Sequence, residues 1–176
     1  MNWWEKRPEH DIRAIRHTRP SVSEIVPELL VGEYPRHEDI AWLRENFAVS
    51  AVHNLQDDED LRLNSLDIAA MRETYGRHGI KLVRTPIQDG SADAMRERLE
   101  VALEDLRGLV ASHRPVYLHC NAGLNRAPTL AIAYLRACRK MSLDEALAHV
   151  KRRRSCGPFM TVLEDYFGPR HLRPTD

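Results

Sequence analysis

The chain has 176 residues, 43% hydrophobic and 30% charged, with 26 Lys and Arg against 26 Asp and Glu. That size and mix describe one soluble domain able to bury a core, and a formal net charge of zero gives no global attraction to nucleic acid or to an anionic membrane. No apolar run approaches a membrane span, and the start MNWWEKRPEHDIRAIRH lacks the apolar centre of a signal peptide. Three widely spaced cysteines, Cys120, Cys138 and Cys156, with no C-x-x-C pair, argue against a disulfide framework or a zinc site and for a reducing cytoplasm.

In chain order, residues 1–20 are charged and broken by Pro8 and Pro20, which suggests a peripheral extension before a domain spanning 21–176. Leu29 to Val31 form a short apolar run closed by Gly32, a first strand. Residues 36–46 carry Ile40 and Leu43 at helical spacing, and the β-branched, alternating stretch 47–55 predicts a buried strand. Residues 56–67, QDDEDLRLNSLD, read as an acidic irregular loop, and 68–79 as a helix stopped by Gly76 or Gly79. A third strand is predicted over 80–87. The clearest amphipathic helix spans 93–112, with Asp93 as its cap and Leu99, Ala102, Leu103, Leu106, Leu109 and Val110 on one face. The stretch 115–120 predicts another strand, and the apolar, alanine-rich 129–139 a helix packed inside with Cys138 on it. Ser142 with Glu145 makes a capping box for one more helix, and FMTVLEDYFG offers a last. Strands alternating with helices imply an α/β domain with a largely parallel sheet.

Between the strand at 115–120 and the helix that follows lies HCNAGLNRAP, residues 119–128. A strand–loop–helix turn can aim successive backbone N–H groups at one point near the positive end of a helix dipole, which makes a phosphate site. Gly123 permits the backbone conformation such a cradle needs, and Pro128 falls in the first helical turn, where no N–H is lost. Arg126 offers a planar fork for two phosphate oxygens, and Asn121, Ala122, Leu124 and Asn125 add no acid that would repel the ligand. A positive surround favours the thiolate, the nucleophilic form of cysteine, at Cys120. These parts describe sulfur attack on a phosphate ester, giving a cysteinyl-phosphate that water hydrolyses. No metal and no cofactor are called for, since backbone donors and Arg126 carry the developing charge. His119, last in its strand, is expected to hydrogen-bond the loop rather than act as a base.

HCNAGLNRAPT resembles the H-C-x5-R signature of the cysteine-dependent dual-specificity phosphatases, and within them the plant glucan phosphatases and the laforin-like group. The likeness runs from about Val26 to Tyr166 and takes in PELLVG, NLQDDEDL, PIQD and KRRRSCGP. It implies a central sheet of about five strands flanked by helices, and phosphomonoesterase activity on phosphotyrosine or phosphoserine/threonine proteins or on a phosphorylated glucan. In that family an aspartate on a mobile loop some thirty residues before the cysteine protonates the leaving oxygen. The matching position is Asp89, with Asp93 as runner-up.

The chain also departs from the family. Ala127 stands where most dual-specificity phosphatases have a Ser or Thr whose hydroxyl helps the sulfur leave, and Thr129 is the nearest hydroxyl. The places where glucan phosphatases stack sugars on aromatics align with Leu63 and Asn64, Gly90 and Gly157; Phe159, Tyr34 or Trp42 would have to substitute. The run His149 to Arg154 either steers anions or is a solvated helix end. A sulfur-carrying rhodanese or an arsenate reductase fits less well, because no second cysteine follows Cys120 at short range. A phosphate-binding pseudophosphatase that captures phosphorylated partners without turnover is the alternative from another class. A monomer with no nucleic-acid or membrane partner is expected.

Overall fold

The structure is a computed structural model that describes residues 19–175. Five strands and seven helices follow one another as β1 (Val22–Val26), β2 (Leu29–Gly32), α1 (His37–Phe47), β3 (Ala51–Asn54), α2 (Asp58–Leu63), α3 (Ile68–Arg77), β4 (Lys81–Arg84), α4 (Ala92–Ser112), β5 (Val116–His119), α5 (Arg126–Cys138), α6 (Leu143–Lys151) and α7 (Met160–Phe167). The sheet order is β1-β2-β5-β3-β4, parallel except for the hairpin of β1 on β2. The expected α/β domain with a mostly parallel sheet of five strands is what forms.

The strands read as continuous apolar runs because both faces of the sheet are covered. Leu29 and Val31 of β2, Ala51 of β3, and Val116 and Leu118 of β5 face the larger core, shared with α4, α5, α6 and α7. Their alternating neighbours Leu30, Val52 and Tyr117 face a smaller core under α1 and α3. Helix α5 is buried from Arg126 through Arg136, which explains a helix apolar on all sides. The Ser142–Glu145 capping box opens α6 as its spacing implies.

Three local readings change. Strand β1 escaped the sequence because VSEIV is an edge strand that buries only Ile25 and carries a bulge between Glu24 and Val26. The acidic stretch after β3 contains a helix, α2, set by an Asp57–Asp60 capping box; six residues are too few to show a helical period. Ser91, not Asp93, caps α4, and Asp93 pairs with Arg96 in the first turn. The proposed extension at residues 1–20 lies almost wholly outside the described residues. Among those described, no helix is long and apolar enough to cross a membrane.

Candidate active site

Parallel strands and their loops place the candidate residues at the carboxyl ends of the central strands, where open α/β sheets present ligand sites. Cys120 follows β5 directly and is 3% exposed; Arg126 opens α5 and is fully buried. Asp89, in the loop between β4 and α4, has its carboxylate Oδ1 2.9 Å from Arg126 Nη2, with the side chain 57% exposed. The approach is off the N–H line, so Arg126 Nε and Nη2 donate no hydrogen bond to any described residue.

The loop sorts its backbone groups by type. The carbonyl of Cys120 accepts from His119 Nδ1 (2.9 Å), that of Asn121 from Tyr34 N (2.8 Å), and those of Ala122 and Gly123 from Arg154 (2.9 and 2.5 Å). The Leu124 carbonyl accepts from Gly157 N (2.7 Å), and that of Asn125 from Thr129 N and Oγ1 (3.0 and 2.8 Å). Every carbonyl of residues 120–125 is therefore spent. Among the described residues none accepts from the amides of 121–125. A trans peptide points its C=O and N–H in opposite directions, so turning the carbonyls outward turns the amides toward a common centre. Asn125, the residue before α5, makes no side-chain cap, which leaves the helix N-terminus open to an anion.

Gly123 is required here for two reasons. Its φ is +65°, and a Cβ would collide with the carbonyl of Gly32 and the guanidinium of Arg154. His119 is buried and its Nδ1 must carry the proton it gives to the Cys120 carbonyl, in line with a role in holding the loop.

One residue that shapes the site was not foreseen. Asp60 of α2 accepts from Arg126 Nη1 (2.6 Å) and from Asn121 Nδ2, and Asn121 Oδ1 accepts in turn from Gln56 and Asn64. Ile87 O takes the same guanidinium nitrogen at 2.7 Å. Burial works against the charge of Arg126, but the bond to Asp60 and the charges of Cys120, Asp60 and Asp89 outweigh it and hold its pKa above the ordinary value. The spacing Asp57-x-x-Asp60 was the available signal.

The basic run divides. Lys151, Arg152 and Arg153 are exposed, whereas Arg154 is 8% exposed and turned under the loop. All three cysteines are free thiols. Cys138 ends α5 exposed, not inside as its helix suggested, while Cys156 is half-buried and its thiol is pushed up by burial.

A family model described as "dual specificity phosphatase, catalytic domain" matches residues 29–164. The chain belongs to the dual specificity phosphatase family. It is 33% identical over 145 residues to the phosphoglucan phosphatase DSP4 of Castanea sativa, covering 80% of this chain and 38% of that protein. It is 28% identical over 131 residues to laforin of Mus musculus, covering 68% and 39%. It thus spans about two fifths of the length of these curated relatives. Among solved structures, the active form of Tk-PTP superposes with a TM-score of 0.70 at 26% identity, over 84% of this chain and 97% of that one. Human DUSP28 shares the fold, with a TM-score of 0.65 at 20% identity over 85% and 88%.

Proposed function

We propose that this dual specificity phosphatase domain hydrolyses phosphomonoesters by a two-step exchange at Cys120 that needs no metal. The observation that carries the reading is the division of the loop: its carbonyls are all engaged, while among the described residues its amides at 121–125 and two nitrogens of Arg126 find no acceptor. Three non-bridging phosphoryl oxygens are the acceptors such a cradle fits.

In the first step the Cys120 sulfur attacks phosphorus and the P–O ester bond breaks. Asp89 gives its proton to the departing oxygen, so the alcohol or phenol leaves neutral. In the second step water attacks the cysteinyl-phosphate, Asp89 takes the water's proton, and the sulfur departs with its electron pair as inorganic phosphate forms. Arg126, held from behind by Asp60, grips the equatorial oxygens in both steps. Ala127 offers no hydroxyl to the departing sulfur, and the Thr129 hydroxyl is occupied by Asn125 O and Phe159 N. The second step is therefore the slower one.

For the substrate, a phosphorylated protein side chain is favoured over a phosphoglucan. Leu63, Gly90 and Gly157 stand exposed where sugar-stacking aromatics would be wanted. Tyr34 is buried, Trp42 is engaged with Phe47 and Arg19, and Phe159 packs on the core. None of these three rings is free to lie along a glucan. Phosphate release from a phosphotyrosine peptide and from solubilised phosphoglucan, each in EDTA, with Cys120→Ser as the blank, tests both parts. Turnover surviving Cys120→Ser excludes the mechanism, and faster release from glucan reverses the substrate preference.

A further inference from the structure

Among the described residues, Arg154 is a buried cation without an acid. Its guanidinium donates to Gly123 O (2.5 Å) and Ala122 O (2.9 Å) on one side, and to Ser23 Oγ (3.2 Å) and Ser21 Oγ (3.1 Å) on the other. Ser21 O and Val31 O lie at the limit, 3.5 Å away. No carboxylate is among its partners in the described residues, unlike Arg126, Arg139 or Arg173, each of which meets an Asp or Glu. A guanidinium withdrawn from water with only neutral acceptors keeps an unbalanced charge, which burial penalises in the absence of a counter-ion.

The two carbonyls it holds belong to the peptides Ala122–Gly123 and Gly123–Leu124. The opposite ends of those peptides are the amides of Gly123 and Leu124, in the middle of the cradle. Because a trans peptide is rigid and planar, fixing each oxygen against Arg154 fixes each N–H toward the anion site and strengthens its dipole. Gly123 lies so close to this guanidinium that a Cβ there would strike it, so the loop and the arginine are fitted to one another.

We propose that Arg154 is a positioning residue for the phosphate loop, orienting the Gly123 and Leu124 amides and finding its counter-charge in the anion bound on their far side. This rests on the phosphatase reading above. Its exposed neighbours Lys151, Arg152 and Arg153 have no part in it.

The test uses the full chain with Arg154→Met, Arg154→Lys and, as a surface-charge control, Arg153→Met. Two readings report the cradle without turnover: vanadate affinity by calorimetry, and the rate of Cys120 alkylation by anionic iodoacetate relative to neutral iodoacetamide. Arg154→Met is expected to weaken vanadate binding and lower the alkylation ratio by roughly tenfold or more, the scale of a lost oxyanion donor. Arg154→Lys, able to reach one carbonyl, restores part of both, and Arg153→Met leaves both within twofold of native. If Arg154→Met melts at a lower temperature yet keeps the native affinity and ratio, Arg154 only braces β1 and the inference is overturned. If Arg154→Met does not fold, Arg154→Lys decides: native values in both readings overturn the inference. A native chain that neither binds vanadate nor prefers iodoacetate overturns the phosphatase reading itself.

Discussion

Asp60 Oδ2 stands 2.6 Å from Arg126 Nη1, with the two side chains 5% and 0% exposed. The pair ties α2 to the first residue of α5 and engages Nη1, while Nε and Nη2 keep no hydrogen-bond partner among the described residues. Removing one partner of such a pair leaves a buried charge, which costs about 3–5 kcal/mol. Asp60→Ala should lower stability by that order in urea titration, and lower kcat/KM even where the fold persists. Asp60→Asn, which keeps an acceptor for Arg126, should recover most of the stability and less of the activity.

Two glycines at the phosphate loop, Gly123 within it and Gly157 packed against it, are not equivalent. Gly123→Ala must either abandon φ +65° or drive a methyl into Gly32 O, so the cradle cannot close; kcat/KM should fall by roughly a hundredfold or more. Gly157 has open space around a would-be Cβ and no left-handed φ, and Gly157→Ala should stay within twofold of native. Parallel assays with para-nitrophenyl phosphate decide this, and equal losses in the two would remove the steric argument.

Asp89, half-exposed with its carboxylate 2.9 Å from Arg126 Nη2, is the proposed donor of a proton to the departing oxygen. The need for that proton grows with the leaving group's basicity. Asp89→Asn should therefore reduce kcat by roughly a hundredfold on an alkyl phosphate and distinctly less on para-nitrophenyl phosphate. An equal effect on both would assign Asp89 to binding alone.

In the proposed mechanism, Ala127 and the engaged Thr129 hydroxyl leave dephosphorylation of Cys120 as the slow step. Rapid mixing should show a burst of para-nitrophenol approaching one equivalent, and Ala127→Ser should raise the steady rate while shrinking the burst. A native time course without a burst would place the slow step elsewhere.

Away from the site, His53 is fully buried, with Nε2 2.8 Å from Thr85 Oγ1, whose own proton goes to Asp105 Oδ2 at 2.6 Å. The hydroxyl proton being so used, Nε2 carries the ring proton, and Nδ1 has no partner among the described residues. Burial pushes the His53 pKa down from 6.5 to about 3. The unfolded chain takes up the proton first, so this contribution to stability is complete above about pH 6.5. It is lost as pH falls toward 3, by about 1.4 kcal/mol per unit. Urea midpoints at pH 7 and pH 5 should differ more for the native chain than for His53→Leu.

Much of this was legible in the chain. The apolar runs of β2, β3 and β5 mark strands covered on both faces, the period of 93–112 marks α4, and Ser142 with Glu145 marks the start of α6. The Cys120–Arg126 loop is legible because its chemistry depends on neighbours in sequence: thiol, glycine, arginine and helix start lie within a few residues. Helix α2 and strand β1 were not, since a six-residue helix is too short for a period and an edge strand buries too little.

Sequence alone thus determined the candidate nucleophile, its loop and the alternating architecture that presents it, because those are set by local spacing and by which faces must leave water. Only the tertiary structure decided which distant groups hold the loop in shape. Asp60 and Arg154 lie 66 and 28 residues from Arg126 and reach it or its loop through the fold. In sequence each is one charge within a charged run. Burial makes the difference, since a charge loses its water only where the packed chain takes it out of solvent, and there it must find a partner.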